Sequence, residues 1–230
     1  MNKLEAYFTN NPGNLITKWK HYFKAYQRHL GKFENTPSVL VEIGVAHGGS
    51  LQMWKAFLGP EARVIGIDIN PAARDFEDEQ VEIFIGDQED PAFLTSVMEQ
   101  IPAPDIVIDD GGHTMSQQLA TFEVMFPAIT DSGVYICEDT HSSYWSSFGG
   151  GYRQPGTFIE AMKEKIDEVN AFHSKEDPEV FGVTDFTRSV HGMHFYNSLV
   201  VIEKTVREEP RIEHTGRHRL PRFKATRLPK

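Results

Sequence analysis

Val39-Leu-Val-Glu-Ile-Gly-Val-Ala-His-Gly-Gly-Ser50 is a short β-branched run that ends in glycines and leads straight into a helix-like segment over 49–58. Glycines in such a turn let backbone approach a ligand and let the next helix pack closely. The pattern then repeats. Arg63–Ile67, Val81–Ile85, Asp105–Ile108 and Gly133–Cys137 are short, β-branched and nearly continuous in apolar residues. Parallel strands buried on both faces read this way. Helix-like stretches over 90–100 and 114–129 alternate with them, which predicts a parallel sheet with helices on both faces. A longer helix is expected over 155–173. Two further strands, Val190–Tyr196 and Leu199–Glu203, are separated only by Asn197-Ser198 and predict a hairpin at the sheet edge. Upstream, Ile16, Trp19, Tyr22, Phe23 and Tyr26 recur at helical spacing, predicting an amphipathic helix over 14–31 that serves as lid or interface.

The chain has 230 residues, 40 % of them hydrophobic and 24 % charged. That suits one globular domain at roughly 100–200 residues per domain and excludes disordered and low-complexity classes. No apolar run approaches the roughly 18 residues of a membrane helix. Met1-Asn2-Lys3-Leu4-Glu5 has no apolar core for a secretory signal. Cys137 is the only cysteine, so no internal disulfide forms, in keeping with a reducing, cytoplasmic setting. Residues 1–210 carry 16 bases and 32 acids, whereas 211–230 carry seven bases and one acid. An acidic body is a poor partner for nucleic acid and suits a small neutral or cationic ligand or a metal. The basic tail reads as a solvated arm.

Each of the five parallel strands has an acid at or beside its C-terminal end: Glu42, Asp68, Asp87, Asp109 with Asp110, and Glu138 with Asp139. Ligands of open α/β sheets bind beyond those ends. So many carboxylates around one crevice repel one another unless a cation sits among them, which predicts a sulfonium cofactor, a metal ion, or both. Any one acid alone also reads as a helix cap. The first loop is not a nicotinamide fingerprint, because Ala46 stands where the second glycine belongs, and no Walker phosphate loop is present.

The loop Glu42-x-Gly44-x-x-x-Gly48-Gly49-Ser50, with Asp68 ending the second strand, resembles the cofactor loop of class I S-adenosylmethionine-dependent methyltransferases. The resemblance implies a Rossmann-like α/β fold with a seven-stranded, mostly parallel sheet and a C-terminal antiparallel hairpin. It implies cofactor contacts from Glu42, Gly44, Gly48, Ser50, Asp68, Asp87, Gln88 and Asp109, with Asp68 on the ribose hydroxyls and the Gly86-Asp87-Gln88 turn near the adenine.

Ile108-Asp109-Asp110-Gly111-Gly112-His113 after strand four and Cys137-Glu138-Asp139-Thr140-His141 after strand five narrow the family. They resemble the metal-dependent sugar O-methyltransferases of the macrocin and mycinamicin type, close to the cephalosporin hydroxylase-like group. The resemblance spans about residues 38–204. The expected division is an N-terminal helical extension over 1–37, a methyltransferase domain over 38–205 and a basic tail over 206–230.

The chemistry of these residues points the same way. Asp110, Glu138 and Asp139 are three carboxylates from adjacent strand ends, a hard-oxygen set suited to Mg2+. A coordinated sugar diol has a lowered hydroxyl pKa. His113, three residues after Asp110, is placed to take the proton as general base. His141 stays open as an alternative base or as part of the acceptor pocket, together with Tyr144, Trp145, Tyr152 and Arg153. An iron site drawn from His113, His141 and Asp110 also stays open. The reaction expected is Mg2+-dependent methyl transfer from S-adenosylmethionine to a sugar hydroxyl. A catechol or small-phenol acceptor, or a non-catalytic cofactor- or glycan-binding protein, are the rivals. The expected partner is a small-molecule or glycan acceptor, with the apolar N-terminal helix offering a surface for a homo-oligomer.

Overall fold

The computed structural model describes residues 2–217 and 219. Seven strands form one sheet: β1 (Val39–Ile43), β2 (Arg63–Asp68), β3 (Val81–Ile85), β4 (Ile106–Asp109), β5 (Val134–Cys137), β6 (Val190–Tyr196) and β7 (Leu199–Lys204). Their order is β3-β2-β1-β4-β5-β7-β6. β1 to β5 pair in parallel, while β7 runs antiparallel to both β5 and β6. This is the expected seven-stranded, mostly parallel α/β sheet closed by a hairpin. The chain winds outward in one direction from β1 and in the other from β4. A crevice therefore opens between the carboxyl ends of those two strands.

Helices cover both faces: α1 (Lys3–Thr9), α2 (Tyr22–Leu30), α3 (Gly49–Leu58), α4 (Pro91–Met98), α5 (Met115–Ala128), α6 (Phe158–Val169), and the short α7 (Pro178–Phe181) and α8 (Asp185–Ser189). The period-two alternation of each strand splits the core. Leu40, Ile106, Ile108, Val134 and Ile136 face α1, α2 and α3, where Tyr22, Phe23, Tyr26 and Trp54 are buried. Val41, Ile43, Val107, Tyr135 and Cys137 face α4, α5 and α6. The 1–37 extension is thus part of one core layer. Each fully buried large side chain in it stabilises the fold by roughly 1.5–3 kcal/mol.

Two expected helices are shorter than their apolar spacing suggested. The helix over 14–31 begins only at Tyr22, and residues 11–19 run without regular structure. This arm is held across the start of α3. Asn14 N–H donates to Gln52 Oε1 at 2.9 Å. A side chain at Gly49 would strike the carbonyl oxygens of Asn14 and Leu15. Ile16 and Trp19 follow the helical spacing, but the chain stays extended because Lys18 and Trp19 have partners elsewhere, described below. The helix over 155–173 is α6, capped by Thr157 accepting from Glu160 N–H, and followed by a separate turn at Ala171–His173. The sequence-based expectation for the basic tail falls at 218 and 220–230 outside the described residues.

α2 is fastened to the β6–β7 hairpin by a polar cluster. His29 Nδ1 lies 3.0 Å from Glu203 Oε1 and its Nε2 2.8 Å from the Tyr196 hydroxyl. His194 Nε2 lies 3.0 Å from Glu203 Oε2. Burial holds the His29 pKa below its ordinary 6.5. Burial opposes ionisation of Glu203, but hydrogen bonds from His29 and His194 outweigh it and hold the carboxyl below its ordinary 4.5. Both groups bind protons more weakly folded than unfolded. The stability that these two groups contribute is therefore full above about pH 6.5 and falls as pH drops, first through His29 and then, below about 4.5, through Glu203. Thermal unfolding between pH 7.5 and 5 tests this: His29→Gln is expected to flatten the wild-type slope. An unchanged slope would remove His29 from the pH response.

Candidate active site

The crevice between β1 and β4 opens into a cleft of about 350 Å³ lined by Gly44, Ala46, Asp68, Asp87, Gln88, Asp110, Gly111 and Gln117, among others. Gly44 has φ of +91°, and any side chain there would drive into the carbonyl of Asp110. The β1 turn and the β4 turn therefore touch backbone to backbone at the cleft floor. Asp68 Oδ2 accepts the N–H groups of Val45 and Ala46 at 2.9 and 3.0 Å, and Oδ1 accepts from Asn70 at 2.8 Å. A carboxylate has about four acceptor sites, so the side chain that shapes the loop keeps one for a ligand hydroxyl.

The structure brings Gly44, Asp68, Asp87 and Gln88 to this cleft. It places Glu42, Gly48, Ser50 and Asp109 elsewhere. Glu42 shares the β1 face of Leu40 and points away from the cleft into the α3 side. There it is fully buried, accepting from Ser50 Oγ at 2.7 Å and Trp54 Nε1 at 3.0 Å. Gly48, at φ +73°, turns the chain into α3 against the Phe76 ring. Asp109 points to the opposite face and accepts from Gln88 Nε2 at 3.1 Å. Burial pushes the Asp109 carboxyl up to about 7, against the pull of Gln88 and Gly111. These four residues support the cleft wall from behind.

At the mouth of the cleft stand Asp110, His113, Glu138 and Asp139. His113 and Asp139 both have left-handed backbone, φ +59° and +52°. Non-glycine residues hold that conformation only where the surroundings enforce it. His113 Nε2 lies 3.5 Å from Asp139 Oδ2 and 3.9 Å from Asp110 Oδ1. Its buried Nδ1 has no partner among the described residues. One ligand atom from each of Asp110, His113 and Asp139 falls within 4.8 Å of the others. That compactness and the oxygen donors fit a hard divalent ion.

Sequence reasoning missed the cation already present. Lys18, from the arm, is buried with its Nζ 2.5 Å from Asp110 Oδ2, 2.9 Å from Glu138 Oε1 and 3.6 Å from Glu42 Oε1. Burial works against the ammonium, but the three carboxylates overcome it and hold the lysine well above its usual range. Burial, with Asp110 alongside, raises the Glu138 carboxyl despite Lys18 and Tyr26. Other arm and α2 groups complete the set. Tyr26 OH donates to Glu138 Oε1 at 2.6 Å, and Trp19 Nε1 to Asp139 Oδ1 at 3.0 Å. Tyr22 OH lies 2.8 Å from both Asp139 Oδ1 and the Ser198 carbonyl. One signal for this was in the sequence. Strand alternation carries Glu42, Asp110 and Glu138 to the face that the N-terminal segment covers, and Lys18 lies between its apolar positions.

The expected acceptor residues divide. His141 stacks edge-on to Trp145 at 4.5 Å and to Trp19 at 6.3 Å, and its Nδ1 bonds Ser198 Oγ. His141 and Tyr144 line a second hollow, of about 620 Å³, beside Phe195 and Asn197. Tyr152 is 79 % exposed with the Arg153 guanidinium 5.4 Å over its ring. Among the described residues, no hydrogen bond or ion pair joins either to the carboxylate group.

Residues 6–185 match the family model described as rhamnosyl O-methyltransferase/CmcI. The chain belongs to this family. The match takes in the N-terminal arm, which the resemblance read from the sequence had left outside. Among family relatives is the 8-demethyl-8-alpha-L-rhamnosyl tetracenomycin-C 2'-O-methyltransferase of Streptomyces olivaceus. It is 35 % identical over 193 residues, 80 % of this chain and 50 % of that protein. The demethylmacrocin O-methyltransferase of Streptomyces fradiae is 34 % identical over 85 % of this chain and 52 % of its own length. A solved structure of the mycinamycin-pathway methyltransferase MycE, in complex with Mg, SAH and mycinamycin VI, superimposes with a TM-score of 0.77 at 28 % identity. It covers 89 % of this chain and 54 % of that one. The chain thus spans about half the length of the family relatives it matches. A caffeoyl-CoA O-methyltransferase-like structure from Staphylococcus aureus shares the fold, with a TM-score of 0.51 at 16 % identity.

Proposed function

We propose that this chain transfers a methyl group from S-adenosylmethionine to a hydroxyl of a sugar, on a glycosylated natural product or another glycan. The observation that carries the reading is the junction at Asp110. One side of this residue lines the cleft under Gly44, and its carboxylate joins His113 and Asp139 at the mouth. A methyl donor in the cleft and a hydroxyl at the mouth would meet there. The names of the sugar O-methyltransferases among the relatives support the acceptor class.

In this reading Asp68, Asp87 and Gln88 bind the nucleoside part of the cofactor, and the Gly44 turn lies along its methionine part. Asp110 and Asp139, with Glu138 behind them, would hold Mg2+, and a bound Mg2+ would supply the positive charge that lowers the pKa of a sugar hydroxyl. His113 Nε2 faces the same space and takes the proton. The S–CH3 bond breaks as the O–CH3 bond forms, leaving S-adenosylhomocysteine. His141, Trp145 and Trp19 form an aromatic wall beside the acceptor, and positioning supplies much of the rate.

Thermal unfolding with S-adenosylhomocysteine, with and without Mg2+, is the first test. A ligand at about a hundred times its dissociation constant adds roughly 2.7 kcal/mol. The midpoint is expected to rise by roughly 5–10 °C with S-adenosylhomocysteine, and further with Mg2+. Methyl transfer to rhamnosides but not to catechols then fixes the acceptor class. No shift at saturating S-adenosylhomocysteine would overturn the reading.

A further inference from the structure

We infer that Lys18 is a built-in counter-ion for the strand-end carboxylates, carried in by the N-terminal arm, and that it sets how tightly the site holds a divalent cation. This rests on the metal-assisted reading above and deepens it. Lys18 bonds one oxygen of each of two carboxylates, Asp110 Oδ2 and Glu138 Oε1. Trp19 and Tyr22 do the same at Asp139 Oδ1. The oxygens left over, Asp110 Oδ1 and Asp139 Oδ2, are the pair nearest His113 Nε2. The arm therefore fixes which oxygen of each carboxylate faces inward.

Charge gives Lys18 a second effect. Glu42, Asp110 and Glu138 converge on a site where Lys18 is the cation. With the ammonium in place these three side chains are held together without a metal. The same positive charge repels a divalent ion at the neighbouring oxygens, and in a buried site that repulsion is weakly screened. Lys18 thus trades metal affinity for a site that is assembled before the metal arrives. It is a positioning residue and does not touch the reacting atoms. It also joins Glu42, under the cofactor loop, to Asp110 and Glu138 at the metal side, so the two halves of the site share one charge.

Mn2+ binding, measured by calorimetry on the full chain, tests this. Lys18→Met is expected to bind Mn2+ about tenfold more tightly than wild type, because the repelling charge is gone and Asp110 Oδ2 is released. Lys18→Arg keeps the charge and is expected to stay near the wild-type affinity. Thermal unfolding supplies a readout that lost packing alone would not move. Without metal, Lys18→Met is expected to melt well below wild type, and saturating Mn2+ closes most of that gap. Unchanged or weaker Mn2+ binding in Lys18→Met overturns the inference while leaving the metal reading standing. Mn2+ binding to neither protein overturns both. If Lys18→Met folds only when Mn2+ is present, the inference holds. If it folds in neither condition, Lys18 is a structural residue that no cation replaces, and the inference fails.

Discussion

His113→Ala is expected to lower methyl transfer by about 10²–10⁴-fold, the range a positioned general base supplies, while S-adenosylhomocysteine and Mn2+ bind as in wild type. The geometry frames the alternatives sharply. Nε2 is 3.5 and 3.9 Å from the two inward carboxylate oxygens, beyond a hydrogen bond to either. The ring therefore flanks the space between them. A base keeps that position when the diol is bound, and a metal ligand would fill it. Single-turnover methyl transfer and Mn2+ calorimetry on the same variant separate the two roles. Loss of both metal binding and turnover would make His113 a ligand and hand the proton to His141. That residue is already held by Ser198 Oγ and stacked on Trp145. Retained turnover would remove His113 from the chemistry altogether.

Gly44→Ala is expected to cost about 2–6 kcal/mol and to abolish cofactor binding. Left-handed backbone at +91° charges a non-glycine residue roughly 1–3 kcal/mol. The new methyl also lands on the Asp110 carbonyl, and overpacking of that kind costs about 1–3 kcal/mol more. The neighbour is backbone and cannot swing aside, so the β1 and β4 turns must part. For a chain of this size the unfolding midpoint should fall by roughly 4–24 °C. The contrast is Gly156→Ala, also at positive φ but with no atom within 4 Å of the added methyl. It isolates the conformational cost from the clash. Equal effects at the two positions would show that the close approach of the two turns is unimportant.

The parallel strands were legible because each is short, β-branched and punctuated by glycine or acid, and every predicted strand lies within one residue of the observed one. The acids were legible as a group for the same reason. Their individual directions were not read. Glu42 looked like a cofactor ligand because it precedes Gly44, yet alternation along β1 turns it toward Trp54. The helix expected over 14–31 failed for a non-local reason. Ile16 and Trp19 keep helical spacing, but Lys18 finds carboxylates that lie 92 and 120 residues further along the chain. Local periodicity carries no information about a partner that distant. Asp110, Glu138, Asp139 and His113 were found by residue type and strand position, the two cues that survive without a fold.

The long reach of the arm bears on how this protein is made. Lys18 meets Glu138 across 120 residues, and Tyr22 meets the carbonyl of Ser198 across 176. During synthesis the arm leaves the ribosome before the partners it meets. Non-local contacts of this kind must overcome loop-closure entropy before they stabilise anything, which slows folding. The parallel β1–β4–β5 core and the arm are both synthesised before the β6–β7 hairpin. Tyr22 lacks one of its partners, the Ser198 carbonyl, until the β6–β7 hairpin emerges. Shortening the chain from its C-terminal side into that hairpin would remove the Ser198, Tyr196 and Glu203 anchors of α2, although every residue proposed for chemistry would still be present.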